Sequence, residues 1–319
     1  MSEIERRKNY TTTQISKLLE LINYSKSTLD TKGCIYLTGS FGRHEASEGS
    51  DIDAFIACAG RRDEQAINGL EEIRIKADLI VAAEKMRLPE FDGDGDYLRV
   101  FARNFLIESI GSQEDDYTNT FTARLLLLLE GKPLIGVNFF NELRSDIISS
   151  YWQDYEGHEE NFVPAYFCND VLRLWRTFCV NYEARTSEET AEKKSKRRAK
   201  NYKLRHTRIM TSFSALALFL LNEQRCKRNS PEFAESVFDL SPIDRIGELK
   251  SASVDGAQKV LELYERSLER STEKGFKSKF IEDSYNFQRR LESRQFSEAF
   301  YEMLMNAGQG TVLIKRLLV

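Results

Sequence analysis

The chain is poor in the residues that build metal centres, disulfides and membrane spans. Its 319 residues include only three histidines, scattered along the sequence, so a zinc site lacks its usual ligands. Five cysteines (Cys34, Cys58, Cys168, Cys179 and Cys226) are odd in number and form no CxxC pair. They read as reduced, mostly buried thiols, which predicts a cytoplasmic protein. Only five prolines occur, so long stretches are free to be helical. The longest apolar run, Phe213 to Leu221, is broken by Ser214 and is too short to cross a bilayer. Met1-Ser2-Glu3-Ile4-Glu5 does not read as a signal peptide, and no membrane partner is expected. A net charge of -4 gives no overall basic field to attract nucleic acid.

What the chain does have is a compact acidic motif. Leu37-Thr38-Gly39-Ser40-Phe41-Gly42-Arg43 is followed by a polar stretch and then by Ser50-Asp51-Ile52-Asp53-Ala54-Phe55-Ile56. Residues i and i+2 of a strand point to the same side, so Asp51 and Asp53 can grip the same divalent cations. Hard carboxylate oxygens suit Mg²⁺, which takes one or two carboxylates, several waters and substrate phosphates. Gly39 lets the backbone approach a phosphate closely, and Ser40 adds a hydroxyl donor.

Periodicity around the motif predicts a small sheet. Ile15, Leu18, Leu19 and Ile22 recur at helical spacing within 11–29. Cys34 to Leu37 reads as a buried strand and Asp51 to Cys58 as a second, followed by a polar turn and a short helix to about Leu70. Alternation of Ile73, Ile75, Ala77 and Leu79 predicts a third strand over 73–81, with Asp78 on its polar face. Leu98 to Phe101 is expected at a sheet edge. Asp92-Gly93-Asp94-Gly95-Asp96 reads as a solvated turn, since an EF-hand would need Gly where Tyr97 stands and Glu where Arg103 stands. After about Ser112 nearly everything reads helical. Asn119 and Arg124 flank the start of a leucine-rich helix and could face a ligand.

Gly39-Ser40, ten intervening residues and then Asp51-x-Asp53 resembles the signature of the DNA polymerase β-like nucleotidyltransferase superfamily. Arg43 and Ser50 match its common bacterial form, Gly-Ser-x-x-Arg followed by Ser-Asp-x-Asp. The resemblance implies an α+β protein: a small mixed-sheet nucleotidyltransferase core over 1–113 and an all-helical nucleotide- or acceptor-binding domain over 114–319. It implies two Mg²⁺ (or Mn²⁺) ions on Asp51, Asp53 and a third carboxylate. Asp78 is the candidate for that third position, as ligand or general base, with Glu71 or Glu72 as the fallback. Gly39, Ser40, Arg43 and Ser50 would hold the nucleotide.

Residues 193–208 carry nine lysines or arginines and no acid, next to the acidic 187–192. Lys203, Arg205 and Arg208 sit where the segment turns apolar. Helical domains of the superfamily commonly lend such residues to the triphosphate. The outer bases Lys193, Lys194, Lys196, Arg197 and Arg198 suit either a solvated face or a single-stranded oligonucleotide. The implied activity is transfer of NMP or dNMP from a (d)NTP to a hydroxyl, with release of pyrophosphate. The acceptor favoured is a nucleotide or an untemplated oligonucleotide, in the style of bacterial anti-phage defence enzymes. Two alternatives stand. Gly-Ser-Phe-Gly-Arg is also similar to uridylyltransferases of nitrogen-regulatory proteins and to toxin-adenylylating antitoxins, which implies AMPylation or UMPylation of a partner protein. An inactive nucleotide-binding module is the other.

Overall fold

The computed structural model describes every residue except 63, 92–97, 184–189, 227 and 319, and leaves the side chains of 181–183, 226 and 318 undescribed. The Asp92–Asp96 turn and most of the acidic 187–192 stretch therefore lie outside the described residues. The chain divides into two compact units between Gln153 and Asp154. The first unit thus runs well past the expected boundary near 113, because a strand and two helices beyond that point complete the sheet and its cover.

The first unit runs α1 (Glu3–Leu21), α2 (Asn23–Leu29), β1 (Gly33–Thr38), α3 (Gly39–Gly42), β2 (Asp53–Cys58), β3 (Gly60–Arg61), β4 (Glu64–Gln65), α4 (Gly69–Lys85), β5 (Val100–Ala102), α5 (Arg103–Glu108), α6 (Gln113–Tyr117), α7 (Thr120–Glu130), β6 (Lys132–Ile135) and α8 (Val137–Tyr151). The main sheet is mixed, in the order β5-β2-β1-β6. β1 pairs antiparallel with β2 and β6, and β5 joins parallel to β2. β3 and β4 form a separate short hairpin.

Strand alternation divides the side chains of β1 and β2 between two faces. Ile35, Leu37, Ala54, Ile56 and Cys58 pack with Leu18, Ile22, Ile75 and Leu79 of the N-terminal helices and α4. On the other face Tyr36 stacks on Phe55 at 5.4 Å, and Phe101 and Phe140 extend the aromatic layer. Buried Arg124 closes this side with a forked pair to Asp115, at 3.0 and 2.8 Å, and a bond to the Tyr151 hydroxyl. Arg124 is therefore a core ion-pair member and faces no ligand. Asn119 is exposed and caps α7 in the left-handed conformation.

The segment 73–81 is helical, not a strand. Asn68 accepts from the backbone of Leu70 and Glu71 while the Glu71 side chain returns to the Asn68 N–H, a complete capping box. That nucleates α4, and Ile75, Leu79, Ala82 and Ala83 then share its buried face at helical spacing. The alternation of isoleucines along 73–79 came from a helix apolar on two sides.

The second unit runs α9 (Ala165–Glu183), α10 (Ala191–Cys226), α11 (Pro231–Asp239), α12 (Pro242–Ser251), α13 (Ala257–Thr272), α14 (Phe276–Lys279), α15 (Asp283–Ala307) and α16 (Val312–Leu318). The basic run and the apolar run are the two halves of α10. From Met210 to Leu221 that helix is buried almost all round, which makes it the hub of the unit. Cys34, Cys58 and Cys168 are buried free thiols, and Cys179 is an exposed one.

Candidate active site

Thr38, the last residue of β1, lies opposite Asp53, the first of β2. The chain leaves Thr38 through Gly39 at φ +59°, makes the single turn of α3, and returns through a loop to Asp53. A Cβ built on Gly39 would come within 2.1 Å of Asp53 Oδ2. Only glycine meets both demands, a left-handed φ and a carboxylate resting against its Cα. A Cβ on Gly42 would strike the Leu37 and Glu130 carbonyls, which fixes the second glycine of the turn.

A buried ionic strut holds the turn. Glu130, the last residue of α7, accepts from the Gly39 N–H at 2.7 Å and from Arg43 Nη1 at 2.9 Å. Arg43 Nε donates to Glu45 at 2.8 Å. The Arg43, Glu45 and Glu130 side chains are only 11, 2 and 4 % exposed. α1 clamps the next stretch: Arg7 donates to the Glu45 carbonyl, and the Thr11 hydroxyl accepts from the Ala46 N–H. Ser50 closes the loop locally, its hydroxyl accepting from the Ser47 N–H at 3.0 Å.

The sequence-predicted residues separate clearly on this frame. Gly39, Ser40, Arg43 and Asp53 come together at the β1–β2 turn, with Ser50 and Asp51 in the loop that returns to it. Arg43 serves as a strut between two buried carboxylates, and Ser50 as a turn closure. The Ser40 hydroxyl and the Asp51 carboxylate, both half-buried, bond to no other described residue. Asp51 precedes the first paired residue of β2, so the ladder positions only Asp53.

Asp78 does not belong to the site. It projects from α4, which packs on the Ala54 and Ile56 face of the sheet, whereas Asp53 lies on the Phe55 face. Its carboxylate accepts from the Ser25 N–H at 2.9 Å and the Ser25 hydroxyl at 2.8 Å. Ile22, the N-cap of α2, has no side-chain acceptor, and Asp78 supplies one from another helix. The fallback residues are also engaged: Glu71 pairs with Lys32 and caps α4, and Glu72 pairs with Lys76. No group of three or more His, Cys, Asp or Glu side chains among the described residues is arranged to hold a metal ion. Any divalent metal held here would rest on Asp51 and Asp53, two hard carboxylates of the kind Mg²⁺ takes together with water.

The three basic residues assigned to the triphosphate leave α10 in different directions. Lys203 lies over the Phe276 ring of α14 at 5.8 Å. Arg208 lies over Phe178 of α9 at 4.6 Å and donates to the Phe178 carbonyl at 2.9 Å. Arg205 is exposed. At about 100° per residue Lys203 is well over a quarter-turn from both, so the three do not form one cluster on this unit. Asp170 pairs with Arg173 along α9.

Glu45 and Glu130 were not foreseen as site residues. The one local hint was an acid immediately before Gly131, where a helix ends and a strand begins. No protein-family model matches the chain, and no curated protein matches it.

Proposed function

We propose that this protein is a metal-dependent nucleotidyltransferase, moving NMP or dNMP from a (d)NTP to a hydroxyl with release of pyrophosphate. The observation that supports this reading most is the close approach of the Asp53 carboxylate to Gly39, which sets the second aspartate of the motif against the Gly-Ser turn. Asp51 and Asp53 would hold the metal, Mg²⁺ or Mn²⁺, which would neutralise triphosphate charge and the charge that develops at the reacting phosphorus. The chain's own part is positioning. Gly39 keeps its Cα bare beside Asp53, and the Arg43–Glu130 strut holds the turn at fixed height. The Ser40 hydroxyl is the donor nearest in sequence for a phosphate oxygen. Without a cation, triphosphate beside two carboxylates is unfavourable: two unit charges 4 Å apart interact by roughly 4 kcal/mol at an effective dielectric near 20.

For the acceptor the reading favours a nucleotide or a growing oligonucleotide. Lys193, Lys196, Arg197 and Lys200 recur at i, i+3, i+4 and i+7 on the side of α10 opposite buried Ser195, Ala199 and Tyr202. A row of bases along one helix face is an arrangement that can follow a phosphate backbone, and Lys196 within it also pairs with Glu192. The deciding experiment incubates purified protein with each labelled NTP and dNTP plus Mg²⁺ or Mn²⁺ on a denaturing gel. A ladder absent from Asp51→Asn and Asp53→Asn supports the reading. Label on protein would transfer the acceptor to a polypeptide, and no incorporation with any nucleotide would leave a binding module.

A further inference from the structure

The second unit gathers buried donors that have nothing to donate to. Arg289 of α15 is only 7 % exposed. Its Nη2 pairs with Glu292 Oε1 at 3.0 Å, but its Nε and Nη1 have no hydrogen-bond partner among the described residues. Arg270, in the last turn of α13, repeats the pattern. Its Nη1 donates to Glu273 at 2.6 Å, while its buried Nε stays 3.7 Å from Glu292 Oε1 and bonds to nothing. The Tyr285 ring lies against the Arg289 guanidinium at 4.9 Å, and its hydroxyl is also buried without a partner. Native interiors leave few polar atoms unmet, so four on three neighbouring side chains need a reason.

These atoms share one place. Both guanidiniums reach the same oxygen, Glu292 Oε1. Lys279 of α14 lies over the Tyr285 ring at 5.9 Å and pairs with Glu273. Burial, and then Glu273, push the Tyr285 phenol up, while Arg289, Lys279 and Arg270 pull it down. The net direction is upward, so the hydroxyl keeps its proton and can donate.

The unmet atoms select their ligand. Guanidinium nitrogens only donate, and both arginines are permanently charged. Their ion pairs join three cations, Arg270, Lys279 and Arg289, to two carboxylates, Glu273 and Glu292. A water would bring hydrogens of its own to a place already rich in donors. An oxyanion brings acceptors alone, and a phosphate has one more oxygen than a carboxylate for donors spread over three side chains. Its hydrogen bonds to arginine are of the strong, charge-assisted kind. Entry is open from the surface: Arg270 and Lys279 are 39 and 43 % exposed, and exposed pairs such as theirs with Glu273 are weakly held.

We propose that Arg270, Tyr285 and Arg289 form a binding site for a phosphate group. All three belong to the second unit and none to the aspartate motif, so the proposal stands independently of nucleotidyl transfer. The basic half of α10 reaches the same α14 corner, where Arg198 donates to the Phe280 carbonyl at 3.1 Å. The phosphate therefore has two sources to separate, the end of a nucleic-acid strand and a small phosphate ester.

The full chain, with divalent metal chelated, is titrated with inorganic phosphate against chloride at matched ionic strength, reading melting temperature and binding heat. The expected result is a saturable rise in melting temperature, with phosphate affinity falling about tenfold or more in Arg270→Gln and roughly fivefold in Tyr285→Phe. Both residues are half-buried, and Tyr285→Phe keeps the ring against Arg289, so both variants should fold. Oligonucleotides of one sequence, with a terminal phosphate or a terminal hydroxyl, then identify the source. Tighter binding of the phosphorylated strand, lost in Arg270→Gln, assigns a strand end; equal binding of the two beside a phosphate effect assigns a small ester. No saturable effect of phosphate beyond that of chloride, or variants that bind phosphate as wild type does, would overturn the proposal.

Discussion

Replacing Gly39 by alanine tests the site at its tightest point. Two penalties arise together. Alanine must adopt φ +59°, which costs roughly 1–2 kcal/mol for a residue with a Cβ. The new Cβ also falls 2.1 Å from Asp53 Oδ2, where contacts under 3.0 Å are essentially never seen, so the carboxylate must move by about 1 Å. A displacement of that size at reacting groups can cost ~100-fold in rate, or about 2.7 kcal/mol of barrier. We expect Gly39→Ala to lower stability by about 2 kcal/mol in urea unfolding and to lower kcat/KM for nucleotide incorporation about 100-fold. A double-mutant cycle separates the two penalties. In an Asp53→Ala background the clash is gone and only the backbone strain remains, so Gly39→Ala should there cost about 1 kcal/mol. Additive costs, or activity within a few-fold of wild type, would refute the view that Gly39 exists to seat this carboxylate.

Three further outcomes follow from the geometry. Asp78→Ala should destabilise by about 1 kcal/mol through loss of its cap on α2 and leave kcat unchanged, measured by denaturation beside incorporation. Arg43→Leu removes the guanidinium that bridges buried Glu45 and Glu130 and should cost about 3–5 kcal/mol, with Arg43→Lys recovering only part because an ammonium lacks the fork that spans both. His206 is buried against Tyr202 and Phe296, and desolvation lowers its pKa to about 4 despite the hydrogen bond to the Tyr202 carbonyl. As pH falls below about 6.5 the unfolded chain takes up the proton first, so stability should decline from there and level off below about 4, by roughly 3 kcal/mol in all. His206→Phe should flatten that acid limb in a pH series of melting curves.

How much of this was legible in the sequence depended on range. β1 and β2 were readable because continuous apolar residues between turn signals suit strands buried on both faces. The edge position of β5 was also readable. α4 was misread because Ile73, Ile75, Ala77 and Leu79 alternate, and period two was taken over period 3.6. The decisive local signal was Asn68 followed by Glu71 at three residues, a capping box that starts a helix and cannot start a strand. Reading the cap first would also have freed Asp78 from its catalytic assignment, since the same carboxylate in a helix faces α2. The late boundary had a similar cause. β6 contains Pro133, which discourages a strand reading, yet proline is tolerated at the sheet edge that β6 occupies.

The site divides the same way. Gly39, Ser40, Asp51 and Asp53 lie within fifteen residues, so one hairpin brings them together and their spacing alone betrays them. The strut that holds them has no such signature: the Arg43–Glu130 bond joins residues 87 apart. In sequence Glu130 is a plain helix-ending acid, and Arg43 reads as a basic residue ready for phosphate. Only the packing of α7 on β1 shows that each neutralises the other. Arg43 is thereby committed to two buried carboxylates rather than held out for a phosphate. The proposed divalent metal and its phosphate-bearing substrate are therefore argued from one local arrangement, a carboxylate seated against a bare glycine Cα with a second aspartate two residues before it.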